Sequence, residues 1–307
     1  MWLYLLLGLL LLLVALYPLQ GWIAYLVQQR RREQGFTVTQ PRHRPTPGHW
    51  SNDQITVAWL GHATLLINFH GVNILTDPVF GASVGVHLPF GVSFGPRRMV
   101  RCALSPAELP RLDLILQSHA HLDHLDTRSW RQLRPESAVV MATGNARYIR
   151  HLGFPVVTEL DWGQSTTVAG VKVTAVPVKH WGERFPWSRR HGYNAYLIER
   201  AGAAILFGGD TAHTNSFAEA CAGRRVQLAI LPIGGYQPYI RSHASPEQTW
   251  QMFRDLGADY LVPIHHSTFV LSHEPPGEPL ERLLTVAGAD VARVAIRQVG
   301  ETFVVPA

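Results

Sequence analysis

The sequence predicts an α/β fold, with β-sheets covered by helices, behind a single N-terminal transmembrane helix. Three observations lead there. Strand-length runs rich in β-branched residues recur along the body, bounded by Gly, Pro, Asn or Asp. Helical periodicity enters between the later runs, and residues 2–27 carry no charge.

Taken in order, residues 2–17 are almost continuous Leu, Val and Ala, and the uncharged run continues through Trp22 and Tyr25 to residue 27. About 20 helical residues span a bilayer at ~1.5 Å each, so the run is long enough to cross. Trp22 and Tyr25 stand where interfacial aromatics would, and Arg30, Arg31 and Arg32 on the C-terminal side place the body at the cytoplasmic face. A cleaved signal peptide fits less well, because a basic start and a small-residue cleavage site are both missing. The expected organisation is therefore a transmembrane anchor over 1–29, a juxtamembrane linker over 30–54 with Pro41, Pro45, Pro47 and Gly48, and a folded body over 55–307. This describes a single-pass membrane protein with its body in the cytoplasm.

The body opens with strand candidates at 55–60, 64–69, 72–76 and 112–117. Further runs follow at 139–141, 171–176, 195–199, 203–207, 227–231, 260–263 and 302–305. The clearest helix is 245–256, where Ser245 can cap, Pro246 suits the first turn and Glu247 places negative charge at the N-terminus.

Charge narrows the function classes. The chain has 27 Lys plus Arg against 22 Asp plus Glu, a net of +5, but five arginines and one glutamate in residues 1–45 account for +4 of it. A nearly neutral body is a poor match for a phosphate-backbone footprint, so nucleic acid is not an expected partner. Cys102 and Cys221 stand alone, without zinc-knuckle spacing.

The chemistry concentrates at Ser118-His119-Ala120-His121-Leu122-Asp123-His124-Leu125-Asp126, directly after an apolar strand. Three imidazoles and two carboxylates this close together are costly to bury unless they pair or hold metal. Imidazole and carboxylate together suit a catalytic metal centre of zinc, iron or manganese. His180, Asp210 and His265 each follow a strand candidate in the same way, and strand ends can converge on one edge of a sheet.

With its later His180, Asp210 and His265, the H-x-H-x-D-H motif at His119 to His124 resembles the metallo-β-lactamase fold superfamily. The likeness narrows through Trp59-Leu60-Gly61-His62-Ala63-Thr64, Leu75-Thr76-Asp77-Pro78, Leu104-Ser105 to Leu109-Pro110, Gly209-Asp210-Thr211 and Pro232-Ile233-Gly234-Gly235-Tyr236-Gln237-Pro238. Together these resemble the N-acylphosphatidylethanolamine-hydrolysing phospholipase D branch. The resemblance implies an αββα sandwich, with one zinc on His119, His121 and His180, a second on Asp123, His124 and His265, and Asp210 bridging the pair. His266 adjoins His265 and is the alternative ligand there. It is otherwise a pocket residue.

Two zinc ions in that arrangement would activate a water, hold an anionic phosphodiester and stabilise its leaving oxygen. Asp123 would orient the nucleophile, and His243, just before the 245–256 helix, would protonate the leaving group or contact phosphate. His243 also reads as an exposed helix-entry residue. His62 and Asp77 read equally as partners that orient the ligands or as turn residues. Tyr236, Arg241 and His213 are weaker pocket candidates. The stretches 88–94 and 181–190 are candidates for an interfacial or acyl-lining insertion and for a mobile loop over the metals. The expected activity is a metal-dependent phosphodiesterase acting on a membrane phospholipid or a small phosphodiester. A lactonase or other small-molecule hydrolase, and a non-catalytic metal sensor or scaffold, are the alternatives.

Overall fold

Residues 27–87, 93–185, 188 and 191–306 are described by a computed structural model of the chain. Two sheets carry the fold. The first begins with three antiparallel neighbours, β1 (Ile55–Gly61), β2 (Thr64–Phe69) and β3 (Val72–Thr76). It continues in parallel through β6 (Leu114–Gln117), β7 (Ala138–Ala142) and β8 (Val156–Leu160), while β15 (Thr302–Val304) closes the other edge. Its seven strands thus lie in the order β15-β1-β2-β3-β6-β7-β8. The second sheet has six strands. In it β9 (Ser165–Val168), β10 (Val171–Val176), β11 (Ala195–Arg200) and β12 (Ala203–Phe207) run antiparallel, and β13 (Leu228–Pro232) and β14 (Tyr260–Ile264) extend β12 in parallel. A small separate hairpin pairs β4 (Val86–His87) with β5 (Ser93–Phe94).

The main core joins the facing sheets: Val57, Trp59, Ile67 and Leu116 from the first pack in one buried cluster with Val173, Ile198, Ile205 and Ile230 from the second. The opposite face of the second sheet, with Leu197, Leu206 and Leu231, is covered by Trp250, Phe253 and Leu256 of the helix Pro246–Leu256 and Leu283 of the helix Glu278–Ala287. The helix Pro246–Leu256 starts as the sequence predicts. Ser245 accepts from the Gln248 amide, the Gln248 side chain reaches back to Ser245, and Gly257 ends the helix in the left-handed region.

The expected anchor over 1–29 lies outside the described residues except for 27–29. Among the described residues no helix is long and apolar enough to cross a membrane, which corrects the expectation of a single-pass membrane protein with a cytoplasmic body. The described helical residues 27–32 end in three arginines and are docked on the body. Gln29 is buried and donates to the Val270 carbonyl at 2.8 Å, and Arg32 donates to Ser272 at 3.3 Å.

Candidate metal centre

Every strand that delivers a site residue does so at its C-terminal end. β1, β3 and β6 run in one sense and are followed by His62, Asp77 and the segment Ser118 to Asp126. In the other sheet β10, β12 and β14 share a direction and are followed by His180, Asp210 and His265. The facing sheets thus bring these separate segments of the chain to one edge.

There the side chains form two groups around one carboxylate. His119, His121 and His180 have ligand atoms within 4.8 Å of one another, and so do His62, Asp123, His124 and His265. Asp210 Oδ2 lies between the groups, 3.1 Å from His124 Nε2, 3.1 Å from His265 Nε2, 3.8 Å from His180 Nε2 and 4.0 Å from His119 Nε2. The seven residues expected as ligands are therefore brought together, with Asp210 between the two groups.

The chemistry of this donor set fits metal ions. His124 Nε2, His265 Nε2 and Asp210 Oδ1 are buried without hydrogen-bond partners, although an orphaned buried polar atom costs roughly 1–3 kcal/mol. Burial, reinforced by neighbouring imidazoles, holds His119 well below the usual histidine range, and burial holds His180 at about 3 and His121 at about 4. Burial alone would raise Asp123 and Asp210, but the surrounding histidines, His124 foremost, hold both carboxyls well below their usual range. Neutral imidazoles and ionised carboxylates are the protonation states in which these groups bind metal. Burial lowers His124 and His265 too, yet Asp210 and Asp123 outweigh it, leaving His124 well above the ordinary value and His265 at about 9. The carboxylates thus favour positive charge at this position, as a metal ion would supply.

Partners outside the groups set which ring nitrogen faces inward. His124 Nδ1 donates to Asp77 Oδ2 at 2.7 Å, and His180 Nδ1 donates to the Ser242 carbonyl at 3.0 Å, so both present Nε2 to the centre. His119 Nδ1 lies 2.9 Å from Ser118 Oγ, which in turn donates to Asp77 Oδ2 at 2.5 Å. Burial pushes the Asp77 carboxyl up, but four donors converge on its two oxygens, the pattern of an ionised carboxylate. Asp77 is thus wired to both groups. His62 Nε2 meets Asp123 Oδ2 at 3.1 Å, and burial, followed by the charge of His265, holds His62 at about 3.

Other expectations separate here. His243 lies beside the centre, its Nδ1 3.9 Å from Asp210 Oδ2, and is buried rather than exposed. Gly234 and Gly235 make that approach feasible. A Cβ at Gly234 would stand 2.2 Å from the His265 carbonyl, and one at Gly235, whose φ is +89°, would stand 2.9 Å from His243 Nδ1. His266 points elsewhere, stacking on Trp59 with ring centroids 4.6 Å apart and bonding to Ser267 Oγ at 2.9 Å. Tyr236 is not brought to the centre either, because its hydroxyl donates to Glu278 at 2.8 Å and its ring lies under Arg282. Neither Arg241 nor His213 lines the cavity over the centre.

That cavity encloses about 420 Å³, with His121, Asp123, Asp210 and His265 on its floor. Val84, Val86, Phe94 and Leu271 give it an apolar wall. Sequence reasoning named 88–94 and 181–190 as candidate segments but not the residues that matter in them. Residues 88–92, 186–187 and 189–190 lie outside the described residues, while Phe94, Trp181 and Arg184 line the cavity. Trp181 packs its ring 4.6 Å from His121 and 4.4 Å from His180, and Arg184 Nη1 donates to the carbonyls of Ala120 and Leu125 at 2.8 and 2.7 Å. Their signal was adjacency to His180 in the chain.

The family described as "Beta-lactamase superfamily domain" matches residues 72–266. An uncharacterized protein of Mycobacterium tuberculosis is 33% identical over 257 residues, covering 81% of this chain and 68% of its own. The mitochondrial N-acyl-phosphatidylethanolamine-hydrolyzing phospholipase D of Saccharomyces cerevisiae is 30% identical over 243 residues, covering 75% of this chain and 51% of that protein, so the match spans about half of the yeast enzyme. Among solved structures, the metallo hydrolase Igni18 of Ignicoccus hospitalis superposes with a TM-score of 0.61 at 19% identity, over 83% of this chain and 99% of that one. With its His/Asp cluster at the strand ends, the chain belongs to the β-lactamase superfamily as a metal-dependent hydrolase of the metallo-β-lactamase fold.

Proposed function

We propose that the chain is a dinuclear-metal phosphodiesterase that cleaves phospholipids of the N-acylphosphatidylethanolamine type between the phosphate and the N-acylethanolamine. One observation carries the reading: the shared-carboxylate His/Asp cluster forms the floor of a cavity whose wall is apolar. A phosphodiester with a long apolar tail has the same division. The likeness to the yeast phospholipase D supports the substrate class.

In this reading His119, His121 and His180 would hold one zinc and Asp123, His124 and His265 the other, with Asp210 shared between the two groups; iron or manganese would suit the same donors. Metals bound there would supply Lewis-acid polarisation of the phosphoryl group and an activated water. The protein's part is preorganisation. Asp77 keeps the Nε2 lone pair of His124 facing the centre directly, and that of His119 through Ser118. His62 pins the Oδ2 of Asp123, the carboxylate placed to accept a proton from the attacking water. His243, neutral because burial holds it at about 3, donates a hydrogen bond to the phosphoryl group from the cavity wall. Trp181 and the apolar wall exclude bulk water from the reacting atoms.

The test pairs metal analysis of the purified full-length protein with mass spectrometry of products from vesicles containing N-acylphosphatidylethanolamine, with His121→Ala as control. Release of phosphatidic acid and N-acylethanolamine, lost in the variant, is the expected result. Bound metal without lipid products would move the substrate to a lactone or another small ester. Absence of metal would remove the mechanism.

A further inference from the structure

A second cavity, of about 850 Å³, lies away from the metal centre against the segment around residues 38–44. Its lining includes four arginines, Arg44, Arg97, Arg98 and Arg101. Among the described residues only Arg44 of these pairs with a carboxylate, Glu108, which is also in the lining. Arg98 is the unusual member. It is only 2% exposed, its Nε and Nη2 donate to the carbonyls of Gly81 and Val79 at 3.0 and 2.6 Å, and its guanidinium lies 4.8 Å from the Phe269 ring centre. Its Nη1 is buried against Gly61 with no hydrogen-bond partner, so the guanidinium offers the cavity no free donor and acts on it only as a positive charge beneath its wall. A buried cation held only by carbonyls and a ring lacks a counter-charge in direct contact.

We infer that this cavity is a binding site for a phosphate-bearing anion, distinct from the hydrolytic centre. Guanidinium is the side chain best matched to phosphate, through its planar fork of donors. Arg97 and Arg101 stand on the same extended stretch as Arg98, and their main chain is tied down: the Arg97 amide donates to Glu33 Oε1 at 2.8 Å and the Arg101 amide to the Thr39 carbonyl at 2.9 Å. Phe80 and Leu104 add apolar surface, so the site accommodates either free phosphate or the headgroup of a phospholipid. The inference also gives a place to the Leu104 to Pro110 motif, which takes no part in the metal centre: Leu104, Ser105 and Pro106 line this second cavity.

The experiment uses the metal-loaded full-length chain, titrated calorimetrically with inorganic phosphate and floated with phosphatidylcholine vesicles with and without phosphatidic acid. Two variants separate the sites. His121→Ala identifies phosphate held at the metals, and the double variant Arg97→Ala/Arg101→Ala removes two exposed cations without touching the core. Binding that survives His121→Ala but weakens at least about tenfold in the arginine variant, with circular dichroism and metal content unchanged, is expected. If the arginine-dependent binding is to phosphatidic acid vesicles, the ligand is a lipid headgroup; if it is confined to the calorimetric titration, the ligand is free phosphate. Phosphate and vesicle binding unchanged by the arginine variant, or confined to a His121-dependent component, would overturn the inference.

Discussion

Replacing Asp77 by asparagine tests whether one buried carboxylate sets the ligand-ready form of both histidine groups. Asp77 Oδ1 accepts from Gln117 Nε2 at 3.0 Å and from the Ser118 amide at 2.7 Å, and Oδ2 accepts from Ser118 Oγ at 2.5 Å and His124 Nδ1 at 2.7 Å. Asparagine fills the same volume but keeps one acceptor oxygen, so two of these donors face an NH₂ whichever way it turns. The less costly orientation keeps the two amide donors satisfied and lets the Ser118 hydroxyl rotate. His124 then pairs with the NH₂ only by moving its proton from Nδ1 to Nε2. That nitrogen is the one 3.1 Å from Asp210, and it must carry a lone pair to bind metal. Losing one hydrogen bond to a charged acceptor is worth about 1.5–3 kcal/mol, or about 10- to 150-fold in metal affinity. This overlaps the ~10–100-fold typical of partners that orient metal-bound histidines. Competition with a chromophoric chelator measures the affinity, with circular dichroism reporting the fold. A folded Asp77→Asn variant binding metal within about twofold of the parent would refute the tautomer argument.

Other outcomes follow from the same geometry. Because Asp210 and Asp123 overcome burial to hold His265 at about 9 and His124 well above the ordinary value, both rings are protonated at neutral pH before metal binds. Metal loading near pH 7 should release about two protons per chain, and affinity should fall as pH is lowered, the dependence flattening only as pH rises past the raised pKa values. Calorimetry in buffers of differing ionisation enthalpy reads the proton count, and no release would contradict the assignment. His62→Phe should keep the fold and metal content but lower kcat about 10- to 100-fold by freeing Asp123, so unchanged turnover would remove its positioning role. Tyr236→Phe removes only the bond to Glu278 and should cost about 1 kcal/mol of stability in denaturant titration, with activity unchanged.

Most strands legible in the sequence are buried on both faces, although the edge strand β15, with two exposed positions, is legible too. β1, β2, β12 and β13 are uniformly buried and read as largely apolar runs, interrupted only by Thr56, Thr64 and Asn68. Those that escaped notice lie at the edges, where half the residues face water. β9 is Ser-Thr-Thr-Val with every position at least partly exposed, and β8 begins on an exposed Val156. The same physics governs the site. Ligands cluster in sequence around His119 to His124, and the lone ones follow recognisable strands, so the metal set could be assembled through the resemblance. Tyr236 and His266 could not be placed that way, because a side chain's direction depends on the backbone around it. Tyr236 belongs to a helical segment that turns toward Glu278, and one residue separates His265, facing Asp210, from His266, facing Trp59.

That last contrast has a backbone cause. His62, Asp77, His265 and Ser267 are non-glycine residues with φ of 57°, 31°, 62° and 51°, and three of the four deliver side chains to the centre. Each such conformation costs of order 1–3 kcal/mol, which a strand continuing in extended form would not incur. In an extended strand, successive side chains alternate between faces, one sheet side then the other. A left-handed residue at the C-terminal end breaks that alternation and turns its side chain over the sheet edge. The tertiary bonds that hold these turns are on the same residues: Thr268 accepts from the His62 amide at 2.8 Å, the Leu116 carbonyl accepts from the Asp77 amide at 2.9 Å, and the His62 carbonyl accepts from the His265 amide at 3.2 Å. His62 and His265 therefore lock each other's turns across the two sheets, so one local strain positions both the residue that orients Asp123 and the imidazole beside Asp210.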